Sequence, residues 1–557
     1  MLLYLVFVIL FIIKRLKNRE VILPMNTKYI FVTGGVVSGL GKGVLAASVG
    51  YLLKERGFKV FSMKLDPYLN ANPGILSPIE HGECFVTDDG TETDLDLGYY
   101  ERFMDTNLTC DSSFTSGKLF RKLLEKENNG DFKGQTIQMV PHFTNEIQDV
   151  ILNIEKKYQA DIAIIEIGGT VGDLESNPYF YGIAQLKYLY PQNVFFIHTG
   201  FVPYLESSQE FKSKPTQHSI ATLRSLGISP NIVFLRSHMP ISEDISAKIA
   251  KFSFLDKSNI INVPDFDVIY EIPLYLDTKN VADIICRHLN IKARSKVNLA
   301  KWKEFVNSLK NKNKKEITIA MCGKYVSFLD SYKSIIQSII FASVAKNVNV
   351  DFKWIDTTKI NEDELKNILL NVHGLVLLPG SGLEGWENEI LAAKIARDSN
   401  LPTLGICLGF SAMAVEQARR IKPNANSIEF RDLDEDAFFV TTKIFGFDEN
   451  KYHVRIGSRK INILPNTKAK KIYNKEQIEE RHKHRYFVSY DIALAISDEN
   501  AHFSSFNESK EIAETFELKN HPFYFGVQYH PEYKTRPLNV GKLFPTFLEA
   551  ALQNKKR

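Results

Sequence analysis

Thr33 to Gly43 reads T-G-G-V-V-S-G-L-G-K-G and stands between a short apolar run, Tyr29 to Val32, and a stretch with apolar residues three or four apart that ends near Gly57. Five of these eleven residues are glycine, so the backbone can turn tightly and bring several N–H groups close to an anion. Lys42 adds a positive charge at the end of the loop. Strand, glycine loop with lysine, then helix is the arrangement that offers a helix N-terminus to phosphates, with an ordinary glycine-rich turn as the competing reading. The loop is not a regular P-loop: position 36 is valine, and Gly43 stands where that pattern needs a serine or threonine hydroxyl. A magnesium ion would have to be held by carboxylates elsewhere.

At 557 residues the chain exceeds one ordinary core, and a prior of about 150 residues per domain points to two to four domains. The net charge of +4 is small for this length and gives no reason to expect a nucleic-acid partner. Five cysteines, Cys84, Cys110, Cys286, Cys322 and Cys407, are odd in number and scattered, which argues for a reducing, cytoplasmic setting and against a disulfide framework or a zinc site. Met1 to Ile13 is almost wholly apolar, but as a helix it would reach about 20 Å against a hydrocarbon core of about 30 Å. Its charges follow the apolar run instead of preceding it, unlike a secretory signal. The expectation is therefore no membrane span, with Met25 as the initiator and residues 1–24 as an extension.

Beyond the loop, K-V-F-S-M-K-L-D-P-Y forms a second strand ending on Lys64, Asp66 and Tyr68. In T-E-T-D-L-D-L-G, Asp94 and Asp96 lie two apart and are expected on one side of a strand, where a bound metal would explain the pairing and a solvated acidic loop is the alternative. D-I-A-I-I-E-I-G-G is a buried-strand pattern interrupted by Glu166, a carboxylate that is costly there unless paired or metal-bound. Asp173 and Glu175 follow in a strand-to-helix connection, then Lys212, Lys214 and Gln217, and Lys248 after the strand I-V-F-L-R. Strands alternating with helices indicate a doubly wound parallel sheet, whose ligands bind at the carboxyl ends of its strands.

Asn290 to Lys315 is lysine-rich, with an amphipathic piece around Trp302 and Phe305, and reads as a connector. The expected division is 25–292, a linker over 293–315, and 316–557. In the second half, Gly405-x-Cys407-x-Gly409 lies between an apolar strand and a helical stretch, the nucleophile-elbow arrangement with cysteine in place of serine. A buried structural cysteine is the other reading. Near the C-terminus, His530 and Glu532 lie two apart at a strand end, so that Glu532 can orient the imidazole that takes the proton from Cys407. Together these make acyl transfer through a thioester the leading chemistry.

Taken in order, G-G-V-V-S-G-L-G-K-G, K-L-D-P-Y, S-P-I-E-H-G-E, T-E-T-D-L-D-L-G, E-I-G-G-T-V-G-D-L-E-S, K-S-K-P-T-Q-H-S, G-I-C-L-G, N-A-N-S-I-E-F, R-H-K-H-R-Y and H-P-E resemble the CTP synthase family from about Asn26 to near the C-terminus. The resemblance implies two doubly wound α/β domains: a P-loop-like amidoligase similar to dethiobiotin synthetase, and a class I glutamine amidotransferase. The implied activity is a ligase reaction in which ATP phosphorylates O4 of UTP and ammonia from glutamine displaces the phosphate. It also implies Mg2+, CTP as feedback inhibitor, GTP as allosteric activator and a homotetramer. Gly39, Leu40, Gly41, Lys42, Gly43 and Val44 would form the ATP loop with Asp96, and Asp96 with Glu166 would hold the metal. Lys42 and Lys64 would neutralise charge on the transferring phosphoryl group. Ser38, Asp173, Leu174 and Glu175 would contact the pyrimidine nucleotide, together with Lys212, Ser213, Lys214, Pro215, Thr216, Gln217 and Lys248. Cys407, His530 and Glu532 would be the glutaminase triad, with Ser381, Leu408, Gly409, Phe410, Ser411, Glu429 and Arg485 around the glutamine.

Three departures from that pattern carry expectations of their own. The family's P-G-G-F-G-x-R-G is here P-G-S-G-L-E-G-W, Pro379 to Trp386, without the arginine associated with GTP activation. Phe410-Ser411 replaces Met-Gln after the elbow, and Lys483 replaces an arginine. The expectation is an active glutaminase with weaker glutamine affinity and altered regulation. Rival readings are an ATP-dependent amidotransferase acting on a carboxylate, and a regulatory or filament-forming homologue with an impaired glutaminase.

Overall fold

The computed structural model describes residues 25–429, 436–444 and 454–555. The extension expected over residues 1–24 lies outside the described residues. Among the described residues no helix is long and apolar enough to cross a membrane.

The first half is built on seven strands: β1 (Lys28–Gly34), β2 (Val60–Asp66), β3 (Ser113–Thr115), β4 (Ile162–Ile167), β5 (Val194–Phe201), β6 (Ile232–Ser237) and β7 (Ile260–Pro264). They pair in the order β7-β6-β5-β1-β4-β2-β3, parallel throughout. Alternate residues of β1 enter different cores: Ile30 and Val32 pack on one face of the sheet, Tyr29 and Phe31 on the other. Burial on both faces is why Y-I-F-V reads as a continuous apolar run. The helices that matter here are α1 (Lys42–Glu55), α2 (Asp96–Met104), α3 (Lys214–Ser225) and α4 (Glu243–Ser253).

Asp94 and Asp96 do not share a strand face. The Asp94 carboxylate accepts the Asp96 N–H at 3.1 Å, which turns the chain after Thr93 so that Asp96 becomes the first residue of α2. Short side-chain-to-backbone bonds of this kind compete with an extended ladder, and here they win. The amphipathic piece around Trp302 is a helix, α5 (Ala300–Lys310), and Trp302, Phe305 and Val306 are buried in the core that also contains Ile30 and Val32. Phe341 and Tyr533, from beyond residue 316, join the same cluster, so apolar packing is continuous across the domain junction.

Among the described residues the main sheet of the second half has nine strands: β8 (Lys315–Gly323), β9 (Val348–Asp356), β10 (Gly374–Leu377), β11 (Thr403–Ile406), β12 (Arg455–Ile463), β13 (Gln477–His484), β14 (Ala501–Asn507), β15 (Ala513–Leu518) and β16 (Tyr524–Val527). Their order is β9-β8-β10-β11-β16-β15-β14-β12-β13. From β9 to β16 the pairing is parallel, and from β16 onward it is antiparallel. Two helices frame the nucleophile region, α6 (Trp386–Asp398) and α7 (Leu408–Arg419).

Candidate active sites

At the carboxyl ends of the first sheet the glycine loop caps α1, with Gly39 and Gly41 at φ 75° and 77° and Gly41 as the N-cap. Val36 also stands at φ 81°, the left-handed region where a β-branched residue costs on the order of 1 kcal/mol or more. A side chain on Gly43 would collide with the Asp96 carboxylate. The place of a P-loop hydroxyl is thus taken by a carboxylate brought in from α2.

Lys64, buried at the end of β2, pairs with Asp96, with Glu166 Oε1 at 3.4 Å and with Asp66 Oδ1 at 3.7 Å. Burial opposes its charge, but Asp96, Glu166 and Asp66 outweigh it and hold the ammonium pKa well above the usual lysine value. Burial raises the Glu166 carboxyl, and it raises Asp66 to about 7. Tyr100 donates its hydroxyl to Glu166 Oε2. Lys42 donates to the Gly169 carbonyl at 2.8 Å; burial lowers its pKa, partly offset by Glu166. Three carboxylates, Asp66, Asp96 and Glu166, thus converge on the Lys64 ammonium beside the loop, and the oxygens of Asp96 and Glu166 are donors of the hard type that suits Mg2+.

Beneath the loop lies a residue that the sequence reading did not single out. His198 hydrogen-bonds Thr33 Oγ1 through Nδ1 at 3.0 Å and Ser219 Oγ through Nε2 at 2.7 Å. Burial, helped by Lys42, pushes its pKa down to about 3, so it is a neutral strut.

A cavity of about 440 Å³ is lined by Val36 and Val171 on one side and Lys214, Pro215, His218, Ser219 and Thr222 on the other, so α3 faces the glycine loop. Asp173 accepts the Thr170 N–H at 2.7 Å, while Leu174 is 80% exposed and Glu175 is exposed beside it. Ser213, Thr216 and Gln217 are buried; Gln217 donates to Ser213 Oγ at 3.1 Å. Lys212 pairs with Glu210, and Lys248 on α4 also bears on that carboxylate, so these two lysines gather around Glu210 and do not line the 440 Å³ cavity.

In the second domain Cys407 has φ 56° and ψ −99° and caps α7, the strained turn that a nucleophile elbow requires. The flanking glycines are needed for space: a side chain on Gly405 would collide with Met413, and one on Gly409 with the Leu377 carbonyl. Cys407 Sγ lies 3.7 Å from the Lys483 carbonyl and 3.9 Å from Gln528 Nε2. His530 Nδ1 is 2.7 Å from Glu532 Oε1, which leaves Nε2 as the ring nitrogen for the thiol. Burial alone would lower the His530 pKa; the Glu532 carboxylate and the neighbouring Cys407 sulfur outweigh it and bring it up to about 10.

Cys407, His530 and Glu532 open into a cleft of about 570 Å³ walled by both domains: Gly74 to Pro78, Glu83, Cys84 and Glu92 come from the first, and Ser381, Leu408, Ser411, Glu429 and Arg485 are among those from the second. Two residues expected around the glutamine, Gly409 and Phe410, do not line it. Phe410 is fully buried and packs edge-on to Phe503, and Gly409 is pressed against Leu377. The altered loop is held from both sides: Lys324 donates to the Gly382 carbonyl at 2.6 Å and to the Ser381 carbonyl, and Glu429 accepts the Gly382 N–H at 2.9 Å. Burial raises the Glu429 carboxyl, against the Gly382 N–H, Lys324 and Arg485.

The chain matches the family model for the CTP synthase N-terminus over residues 28–291 and that for glutamine amidotransferase class-I over residues 327–550. A CTP synthase from Mycoplasmopsis pulmonis is 50% identical over 533 residues, 95% of this chain and 98% of that protein. One from Bacillus subtilis is 41% identical over 534 residues, 95% and 99% of the two chains. Among solved structures, the Trypanosoma brucei CTPS glutaminase domain with bound acivicin aligns with 42% of this chain and 94% of its own, at 27% identity and a TM-score of 0.39.

Proposed function

The chain belongs to the CTP synthase family, and from that premise we propose how its residues share the reaction. The activity is that of a ligase: amination of UTP to CTP, driven by ATP, with nitrogen from glutamine.

In the first domain Gly39 to Val44 cradles the ATP phosphates at the N-terminus of α1, and Lys42 and Lys64 neutralise charge as the phosphoryl group passes to O4 of UTP. Asp96 and Glu166 are the residues that would hold Mg2+, which when bound adds positive charge against the phosphate oxygens. Ser38, Asp173 to Glu175, Lys212 to Gln217 and Lys248 take the pyrimidine nucleotide, with CTP competing there as inhibitor. In the second domain the Cys407 sulfur attacks the glutamine amide carbon. His530, whose pKa is held up to about 10, carries the thiol's proton on Nε2 beside the sulfur and gives it to the departing amine, and Glu532 holds the ring in place. The first half-reaction leaves a thioester and releases ammonia; water then hydrolyses the thioester to glutamate. Arg485 and Glu429 bind the amino-acid end of glutamine. Self-association to a tetramer and a cytoplasmic location complete the reading, which rests there on family membership. GTP activation is reduced, because no arginine follows Ser381 and Lys324 and Glu429 already hold the loop.

The observation that carries the proposal is the strained turn at Cys407 and the His530–Glu532 pair on one cleft whose far wall belongs to the first domain. The test is CTP formation from UTP and ATP with ammonia or glutamine as nitrogen source. Both should support it, and no CTP from ammonia would end the reading.

A further inference from the structure

Helix α2 reaches from the phosphate loop to the domain junction. Its first residue, Asp96, meets Lys64 and crowds Gly43, and Tyr100 one turn later meets Glu166. Glu101, the next residue, turns the other way and is fully buried. It accepts the Leu108 N–H at 2.8 Å and receives two arginines from the second domain. Arg481 of β13, itself fully buried, places Nη1 and Nη2 at 2.9 and 3.1 Å from the two Glu101 oxygens and Nε at 2.6 Å from Asp88 Oδ1. Arg536 Nη2 donates to Glu101 Oε2 at 2.5 Å and to Asn107 Oδ1 at 2.9 Å.

Each arginine also holds the backbone that carries the triad. The Arg481 carbonyl accepts the His530 N–H at 2.8 Å. Arg536 Nη1 donates to the carbonyls of Tyr533 at 2.9 Å and Thr535 at 3.2 Å, in the turn just after Glu532. A buried carboxylate between two guanidinium groups is a poor device for stability alone, since desolvating three ions cancels much of their attraction. What it provides is direction, because a planar, two-pronged guanidinium contact fixes where each partner stands.

We propose that Glu101 is a positioning residue for the glutaminase triad, tying the backbone of His530 and Glu532 to helix α2 so that glutamine hydrolysis answers to the loading of the first site. This rests on the function proposed above. A helix is stiff along its axis, so a change in the pull on Asp96 when phosphates and metal arrive is delivered to Glu101, and from there to both arginines.

The experiment uses the full chain and the variant Glu101→Gln, which keeps the shape and removes the charge. Three rates are measured: CTP formation from ammonia, glutamine hydrolysis alone, and glutamine hydrolysis with ATP and UTP. In the wild type, ATP and UTP should accelerate hydrolysis about fivefold or more, the usual scale of coupling between sites. In the variant that acceleration should disappear in kcat with KM for glutamine little changed, while ammonia-dependent CTP formation stays close to wild type. Should Glu101→Gln fail to fold, Arg536→Lys, which keeps a cation but loses the donors to Tyr533 and Thr535, should give the same result. Retained acceleration, absent acceleration in the wild type, or a parallel loss of ammonia-dependent synthesis would each overturn the proposal. Failure of the functional reading itself would show separately, as no CTP from ammonia in the wild type.

Discussion

Gly43 and Asp96 compete for one space: a Cβ at position 43 would stand inside the contact radius of the Asp96 carboxylate. Gly43→Ala should therefore displace Asp96 from Lys64 and slow CTP formation tenfold or more, about 1.4 kcal/mol in the barrier, with ammonia and glutamine alike. Glutamine hydrolysis measured without nucleotides should stay near wild type. Full synthetic activity in the variant would show that Asp96 does not serve the loop.

Replacing Lys64 with alanine strips the cation from three carboxylates, two of them buried, and from the transferring phosphoryl group. Ammonia-dependent CTP formation should fall by about two orders of magnitude, roughly 3 kcal/mol for one lost preorganised donor. A steady-state assay at saturating UTP and ATP reads this directly.

Cys407→Ala should abolish CTP formation from glutamine and leave synthesis from ammonia intact, since the sulfur is used only in the thioester half-reaction. Parallel loss of both would place Cys407 in the fold and not in the chemistry.

His530, raised to about 10 in the folded chain from an ordinary value of 6.5, holds a proton that the unfolded chain gives up earlier. Its contribution to stability is complete below pH 6.5 and fades as pH climbs toward 10. Glu532→Gln removes the carboxylate that sustains the shift, so denaturation midpoints of the variant should decline less than wild type between pH 7 and 10. Identical slopes would show that the pair is not what holds the proton.

GTP should accelerate glutamine hydrolysis little or not at all. Rates at saturating glutamine with and without GTP decide this, and strong acceleration would show that the Pro379 to Trp386 loop needs no arginine to respond.

Much of this architecture is legible where its cause is local. Tyr29 to Val32 announces a doubly covered strand because each of its residues is buried, and G-I-C-L-G announces the elbow because each glycine meets a specific obstruction. The turn at Asp94 was harder, since one carboxylate-to-amide bond decides between strand and helix. Phe410 stands three residues after Cys407, yet helical rotation sends its ring to the core and brings Ser411 to the cleft. Glu101 and Arg481 are 380 positions apart, and nothing in Y-E-R-F marks its glutamate as fully buried. His198 is similar: a histidine inside a buried strand acquires meaning only when Thr33 and Ser219 flank it.

The wall that Gly74 to Pro78, Glu83 and Cys84 contribute to the glutamine cleft has a consequence for stoichiometry. In the proposed reaction ammonia released at Cys407 has that wall beside it, whereas in bulk water at neutral pH most of it becomes ammonium and ceases to be a nucleophile. How well the two domains close against each other therefore sets the number of glutamates formed per CTP. That ratio can drift far from one while both half-reactions still run at full speed.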